Sequence, residues 1–231
     1  MTENVTINTN PETAGSEKPM KKNETINDYL RTLRILFENL GKDEIKGELA
    51  KLNLTENYLG KGKMLLEETF TLQAAQQKEY GESLAATQEF QSLWEVAEEE
   101  YLDNYRIAKV LFAKDDEKIK SLGLSGTRKQ SFTGFLQQAE QFYQNLTKDS
   151  AALAKFAELN ISETQLKTNY ENFRNSAKAK AEYESEKAEA VEATRKRDAK
   201  LDELTEWVRG FKVLAKIALK KRADLLKKLG I

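Results

Sequence analysis

From Ile26 onward apolar residues recur at spacings of three and four, and Ile26, Tyr29, Leu30, Leu33, Leu36, Phe37 and Leu40 share one face of a helix that stops near Gly41. A short second segment is predicted from about Asp43 to Leu52. Thr55 stands where an N-cap belongs, because its hydroxyl can accept a first-turn amide and Glu56 complements the positive end of the helix dipole. The long helical run that starts there has a predicted seam of Leu59, Leu66, Phe70, Ala74, Gly81 and Leu84. The period resumes through Leu93, Ala97, Tyr101, Ala108, Leu111 and Leu122, and Gly123 closes the run as a C-terminal cap. Residues 1–24 hold both prolines, Pro11 and Pro19, and no sustained apolar period, which predicts a flexible leader.

The same pattern is then written again. At an offset of 106, Tyr29-Leu30 falls on Phe135-Leu136, Leu36-Phe37 on Phe142-Tyr143, and Asn39-Leu40 on Asn145-Leu146. One inserted residue makes the offset 107, at which Ala50-Lys51-Leu52-Asn53-Leu54-Thr55-Glu56 falls on Ala157-Glu158-Leu159-Asn160-Ile161-Ser162-Glu163. The far ends keep that offset, with Ile107-Ala108-Lys109-Val110 on Leu214-Ala215-Lys216-Ile217 and Leu122-Gly123 on Leu229-Gly230. A shared bias toward Glu and Lys does not place caps and terminal glycines in register, so the chain reads as a tandem duplication. The copies are 25–124 and 132–231, separated by a small-polar linker, 125–131. In the second copy Ser162 and Gln165 form a Ser-x-x-Gln capping box.

Each copy thus offers a broken first helix followed by a long helical run that, unbroken, would extend roughly 100 Å at 1.5 Å per residue. Burial of its apolar face favours folding in half, with hairpin turns expected near Thr87 to Gln91 and Thr194 to Asp198, over a continuous rod. The expected fold class is all-α: an antiparallel helical bundle with long helices and a broken first helix, present in two copies. The period and layering resemble spectrin-type repeats, although the broken first helix and the glycine stop between copies depart from that pattern. The ending Phe211-Lys212-Val213-Leu214-Ala215-Lys216-Ile217-Ala218-Leu219 with Leu225-Leu226-Lys227-Lys228-Leu229-Gly230-Ile231 also resembles the C-termini of bacterial helical-bundle repeat proteins. That resemblance implies no activity.

Composition agrees with long helices: 39% hydrophobic and 32% charged residues, with two prolines and eleven glycines. There is no Cys and no His, which removes thiol chemistry, disulfides, the commonest metal-binding nitrogen and the usual neutral-pH proton carrier. No catalytic residue set, cofactor site or metal site is therefore expected, and no small-molecule substrate. The first eleven residues show neither a basic n-region nor an apolar h-region, and no apolar run reaches membrane-spanning length, so a cytoplasmic, soluble protein is expected.

Several local features invite a chemical reading. Glu67-Glu68 and Glu98-Glu99-Glu100 suggest a di-metal carboxylate bundle, but such centres use Glu-x-x-His, so a solvated acidic face is the plainer reading and a carboxylate-metal enzyme a remote one. Gly60-Lys61-Gly62-Lys63 lacks the strand and spacing of a phosphate loop and reads as a weak helical stretch, or instead as a mark of close helix packing or a kink. Residues 174–200 carry only Tyr183 and Val191 as large apolar side chains, so this stretch is either exposed or packed closely through Ala.

The strongest interaction signal is at the end. Residues 209–231 carry Arg209, Lys212, Lys216, Lys220, Lys221, Arg222, Lys227 and Lys228 against Asp224 alone, a net +7. Phe211, Leu214, Ala215, Ala218, Leu225 and Leu229 form the apolar face, which is expected to be core. The candidate interaction residues are Lys212, Lys216, Lys220, Lys221, Arg222, Lys227 and Lys228. Residues 55–104 hold eleven acidic side chains against three lysines, a net −8, and offer the complementary field, within the chain or head to tail between chains. The expected function is that of a non-enzymatic structural or adaptor protein whose helical faces meet a protein partner or a second copy. A membrane-surface protein using the cationic end is the alternative, and nucleic acid is the lesser partner.

Overall fold

A computed structural model describes residues 25–127, Lys129 and 131–231, so the predicted leader lies outside the described residues. The described residues are helical, without strands: α1 (Ile26–Leu40), α2 (Asp43–Ala50), α3 (Glu56–Leu111), α4 (Asp116–Ser121), α5 (Phe132–Leu146), α6 (Ser150–Ala157), α7 (Glu163–Ala218) and α8 (Ala223–Leu229). Side-chain caps open several of them, and α7 opens at the Ser162 that the sequence places there. Thr25 Oγ1 accepts from the Asp28 amide at 3.2 Å, Ser131 Oγ from Gly134 at 3.2 Å, and Ser162 Oγ from Gln165 at 3.1 Å. At the far ends Gly123 and Gly230 take φ of +65° and +68°, the left-handed turn that lets a helix stop. Gly41 instead keeps an ordinary right-handed φ of −68°, and Thr147 at the matching position of α5 has φ −72°.

α3 and α7 are each continuous over 56 residues, starting 107 residues apart. The expected hairpin turns near Thr87 and Thr194 are absent: both segments are ordinary helix, and with no Gly or Pro in either, nothing forces the backbone to turn. The apolar face is buried by another route, because α3 and α7 pack on each other.

The chain divides into two compact units, one holding the described residues up to Ala75 with Thr194–Ile231, the other Gln76–Ala193. The halves 25–124 and 132–231 therefore each contribute to both units. In the first unit α1, α2 and the start of α3 meet the end of α7 and α8, around Leu30, Leu33, Ile45, Leu49, Leu66, Leu204, Phe211 and Leu225. In the second, α5, α6 and the start of α7 meet the end of α3 and α4, around Tyr101, Ala108, Leu122, Phe135, Phe142, Phe156, Leu166 and Phe173. α3 and α7 run antiparallel within each unit. In the first, Lys200 Nζ lies 3.1 Å from Glu68 and Arg197 donates to Gln73 at 3.4 Å. In the second, the Phe90 and Tyr183 rings stack at 5.7 Å and Asn172 donates to Glu100 at 3.1 Å.

Along α3 the predicted apolar period holds in the first turns and again at Ala97, Tyr101 and Ala108, but fails between them. Leu66 is buried, but Ala74 and Gly81 are exposed and Leu84 is 49% exposed. The inward row is Gly62, Leu66, Thr69 and Gln73, whose polar members lie outside any apolar count. Thr69 is satisfied by donating to the Leu65 carbonyl at 2.7 Å, as Ser176, its counterpart on α7, does to Phe173 at 2.7 Å.

Candidate interaction face

The end of α7 and α8 divide the cationic residues into two groups. Arg222 pairs with Glu44 in the first turn of α2 and with Asp224 at 2.9 Å, while Lys228 lies 3.4 Å from Glu44. The Asp224 and Glu44 carboxylates raise the Arg222 pKa, and the Arg222 guanidinium holds Glu44 below the usual carboxylate range. Together with the bond from Asn39 Nδ2 to the Lys228 carbonyl at 2.8 Å, these contacts clasp α8 to α1 and α2. Arg222 and Lys228 are thus part of the fold, and their partner Glu44 lies outside the acidic stretch 55–104. Lys212 is half-buried. Lys216, Lys220, Lys221 and Lys227 are exposed.

Between those cations lies a feature that the sequence pattern assigned differently. Phe211, Ala215, Leu225 and Leu229 are core as expected, but Leu214 is 36% exposed and stands with Val213 (57%) and Ile217 (58%) on the outer face of α7. On a helix of 3.6 residues per turn, Val213, Leu214 and Ile217 form one strip with Arg209 and Lys216 along one side, and Lys220 and Lys221 follow in the turn beyond the end of α7. Periodicity cannot separate Leu214 from the core face, because it lies at the margin of the buried arc beside Phe211.

Two further clusters appear. Glu79, Glu82 and Glu186, from α3 and α7, lie close enough to share one cation, whereas neither acidic run in the sequence reading does so among the described residues. Lys78 already pairs with Glu79 at 3.4 Å and Glu82 at 2.6 Å. Glu186 has one carboxylate oxygen buried without a hydrogen-bond partner. Its pKa is raised by desolvation and by the charges of Glu189, Glu82, Glu79 and Glu182. The second cluster explains the glycine-lysine run: a Cβ on Gly62 would overlap the Trp207 ring, which is packed among Phe37, Tyr58 and Phe211 at 5.3 to 5.5 Å. Gly62 therefore marks close helix packing. The depression beside it, about 320 Å³ and lined by Gly60, Lys63, Met64, Glu67 and Glu68, takes all its walls from one helix.

The thin stretch 174–200 uses both of its expected modes. Ala179 is buried, Val191 is 64% exposed, and Tyr183 joins Phe90 and Phe132 around the Lys180 ammonium at 4.5 to 5.6 Å. No helix among the described residues is long and apolar enough to cross a membrane. No protein-family model, curated protein or solved structure matches this chain.

Proposed function

We propose that this protein is a non-enzymatic adaptor built by tandem duplication of one half-bundle, and that the outer face of α7 around Val213, Leu214 and Ile217 docks an acidic amphipathic helix of a protein partner. The observation that carries the reading is a contrast between equivalent positions. At an offset of 107 the strip Val213, Leu214, Ile217 corresponds to Arg106, Ile107 and Val110, so one copy places a charge where the other places an apolar side chain. Arg106 and Val213 are both exposed, so core packing does not dictate the difference. Duplication is supported by paired helix limits, with α1 and α5 starting 106 residues apart and α3 and α7 starting 107 apart.

Covering the strip contributes at most about 1.5 to 3 kcal/mol per side chain, and each exposed ion pair under about 1 kcal/mol. The apolar strip therefore sets affinity, while the lysines set orientation and a salt dependence. The test is a fluorescence titration with a designed acidic amphipathic peptide. Val213→Glu with Ile217→Glu is expected to weaken binding at least tenfold, and Lys216→Glu with Lys220→Glu and Lys221→Glu to remove its salt dependence. A wild-type chain that does not bind the peptide, or variants that bind it equally well, would sink the reading. The cations beside and beyond the strip also suit an anionic bilayer, the second reading. Flotation with phosphatidylserine vesicles in the absence of peptide binding would select it.

A further inference from the structure

Both units are closed by the same kind of contact. One copy supplies a head, its broken first helix and the start of its long helix, and the other supplies a tail, the end of its long helix and the short helix beyond. The details repeat. Asn39 Nδ2 donates to the Lys228 carbonyl at 2.8 Å in the first unit, and Asn145 Nδ2 donates to the Ser121 carbonyl at 2.6 Å in the second. Asn145 is Asn39 plus 106, and Lys228 is Ser121 plus 107. An ion pair ties tail to head each time: Arg222 of α8 to Glu44 at the start of α2, and Lys118 of α4 to Asp149, the N-cap of α6. The buried rows agree, since Leu66 matches Phe173, Tyr101 matches Val208, and Ala108 matches Ala215.

The described linker residues lie outside these contacts. Ser125, Gly126, Thr127 and Lys129 are exposed, and the Lys129 amide donates to Gln138 at 3.2 Å. Each of the two cores thus joins side chains of one copy to side chains of the other, and the linker decides which copies meet. Resting on the duplication proposed above, we infer that the head-to-tail contact is exchangeable between molecules: two chains can pair each copy one with the other chain's copy two, forming a closed dimer that uses no new surface. The partner is a second copy of this chain. A short tether holds its own copies at an effective concentration of order millimolar, so the monomer dominates at micromolar concentration. Shortening the hinge strains reclosure and favours exchange.

The chain has no Cys, so introduced cysteines report position without background. Glu68→Cys and Lys200→Cys on one chain report the closed form, and the same two substitutions on separate chains report exchange, because the native side chains lie 3.1 Å apart. The separate chains are mixed in denaturant, refolded at high concentration and treated with a short bis-maleimide, with the natural linker and with residues 126–129 deleted. The expected result is an interchain crosslink in a species of twice the chain mass. It should be dominant for the shortened linker, a minor fraction rising with concentration for the natural one, and as helical as the monomer. Crosslinking on one chain without any between chains overturns exchange and leaves the duplication standing. Failure of the single-chain pair to crosslink overturns the head-to-tail contact itself. If the shortened chain does not refold, the natural linker decides alone: an interchain crosslink supports exchange and its absence overturns it.

Discussion

At Gly62 the α3 backbone comes so close to the Trp207 ring that no Cβ fits, whereas Gly60, one half-turn away, has open space around it. Gly62→Ala is therefore expected to destabilise by about 1 to 3 kcal/mol through overpacking. Gly60→Ala should stabilise by up to about 1 kcal/mol, because Gly in an exposed helix is the poorer helix former. Urea denaturation of the two variants checks the pair, and equal shifts would mean that Trp207 does not press on Gly62. Glu186 supplies a second residue-scale test. Its raised pKa means that the folded chain holds the Glu186 proton more tightly than the unfolded chain does. Its favourable contribution is therefore present below the ordinary carboxylate value of 4.5 and is lost as pH rises through the higher folded value. Glu186→Gln should then stabilise the protein near neutral pH and flatten the pH dependence of its melting temperature just above the ordinary carboxylate range. An unchanged profile relative to wild type would show that Glu189, Glu82, Glu79 and Glu182 do not burden it.

Between α2 and α3, and again between α6 and α7, the chain turns through Asn53 and Asn160 at φ of +59° and +61°. Asn tolerates this left-handed conformation better than other side chains, and the turn lets the Leu54 amide reach the Leu49 carbonyl at 3.2 Å and Ile161 reach Phe156 at 3.1 Å. Asn53→Ala should cost about 1 to 2 kcal/mol and Asn53→Gly little or nothing, as thermal melts would show. Both asparagines fall in the repeated sequence motif, so this part of the fold was legible, as were the N-cap Ser162 and the stops at Gly123 and Gly230, whereas the cap Ser131 was read only as the end of the linker. Helix ends can be read because they rest on local chemistry. The path of the long helices could not be read, because the inward row around Thr69, Gln73, Ser176 and Lys180 is polar and supplies no apolar period. The candidate face was half legible. The positive charges were visible, but only the position of Glu44 on α2 reveals that Arg222 and Lys228 belong to the clasp, while Lys216 borders the exposed strip and Lys220 and Lys221 are exposed in the turn beyond it.

For the whole molecule, two cores that each draw on both halves of the chain, 25–124 and 132–231, should hold the fold together without the linker once the chain has folded. The first core joins Leu30, Leu49 and Leu66 to Leu204, Phe211 and Leu225, and the second joins Tyr101 and Leu122 to Phe142, Phe156 and Phe173. Losing a tether of millimolar effective concentration weakens association at micromolar concentration by about a thousandfold, or about 4 kcal/mol. Burial contributes about 1.5 to 3 kcal/mol for each large apolar side chain, so a few of the contacts between the two halves outweigh that loss. A protease site placed in the exposed segment 125–127 and cut after folding should therefore leave both pieces in one species, at the mass and helical content of the intact chain. They should separate only when denaturant melts the cores. Disrupting one core provides the control: Phe211→Ala should cost about 3 to 5 kcal/mol and lower the denaturant concentration at which the nicked pieces part, whereas Val191→Ala, at a site 64% exposed, should not. Pieces that part in native buffer on gel filtration would show that the contacts between the two halves are too weak to hold the fold without the linker.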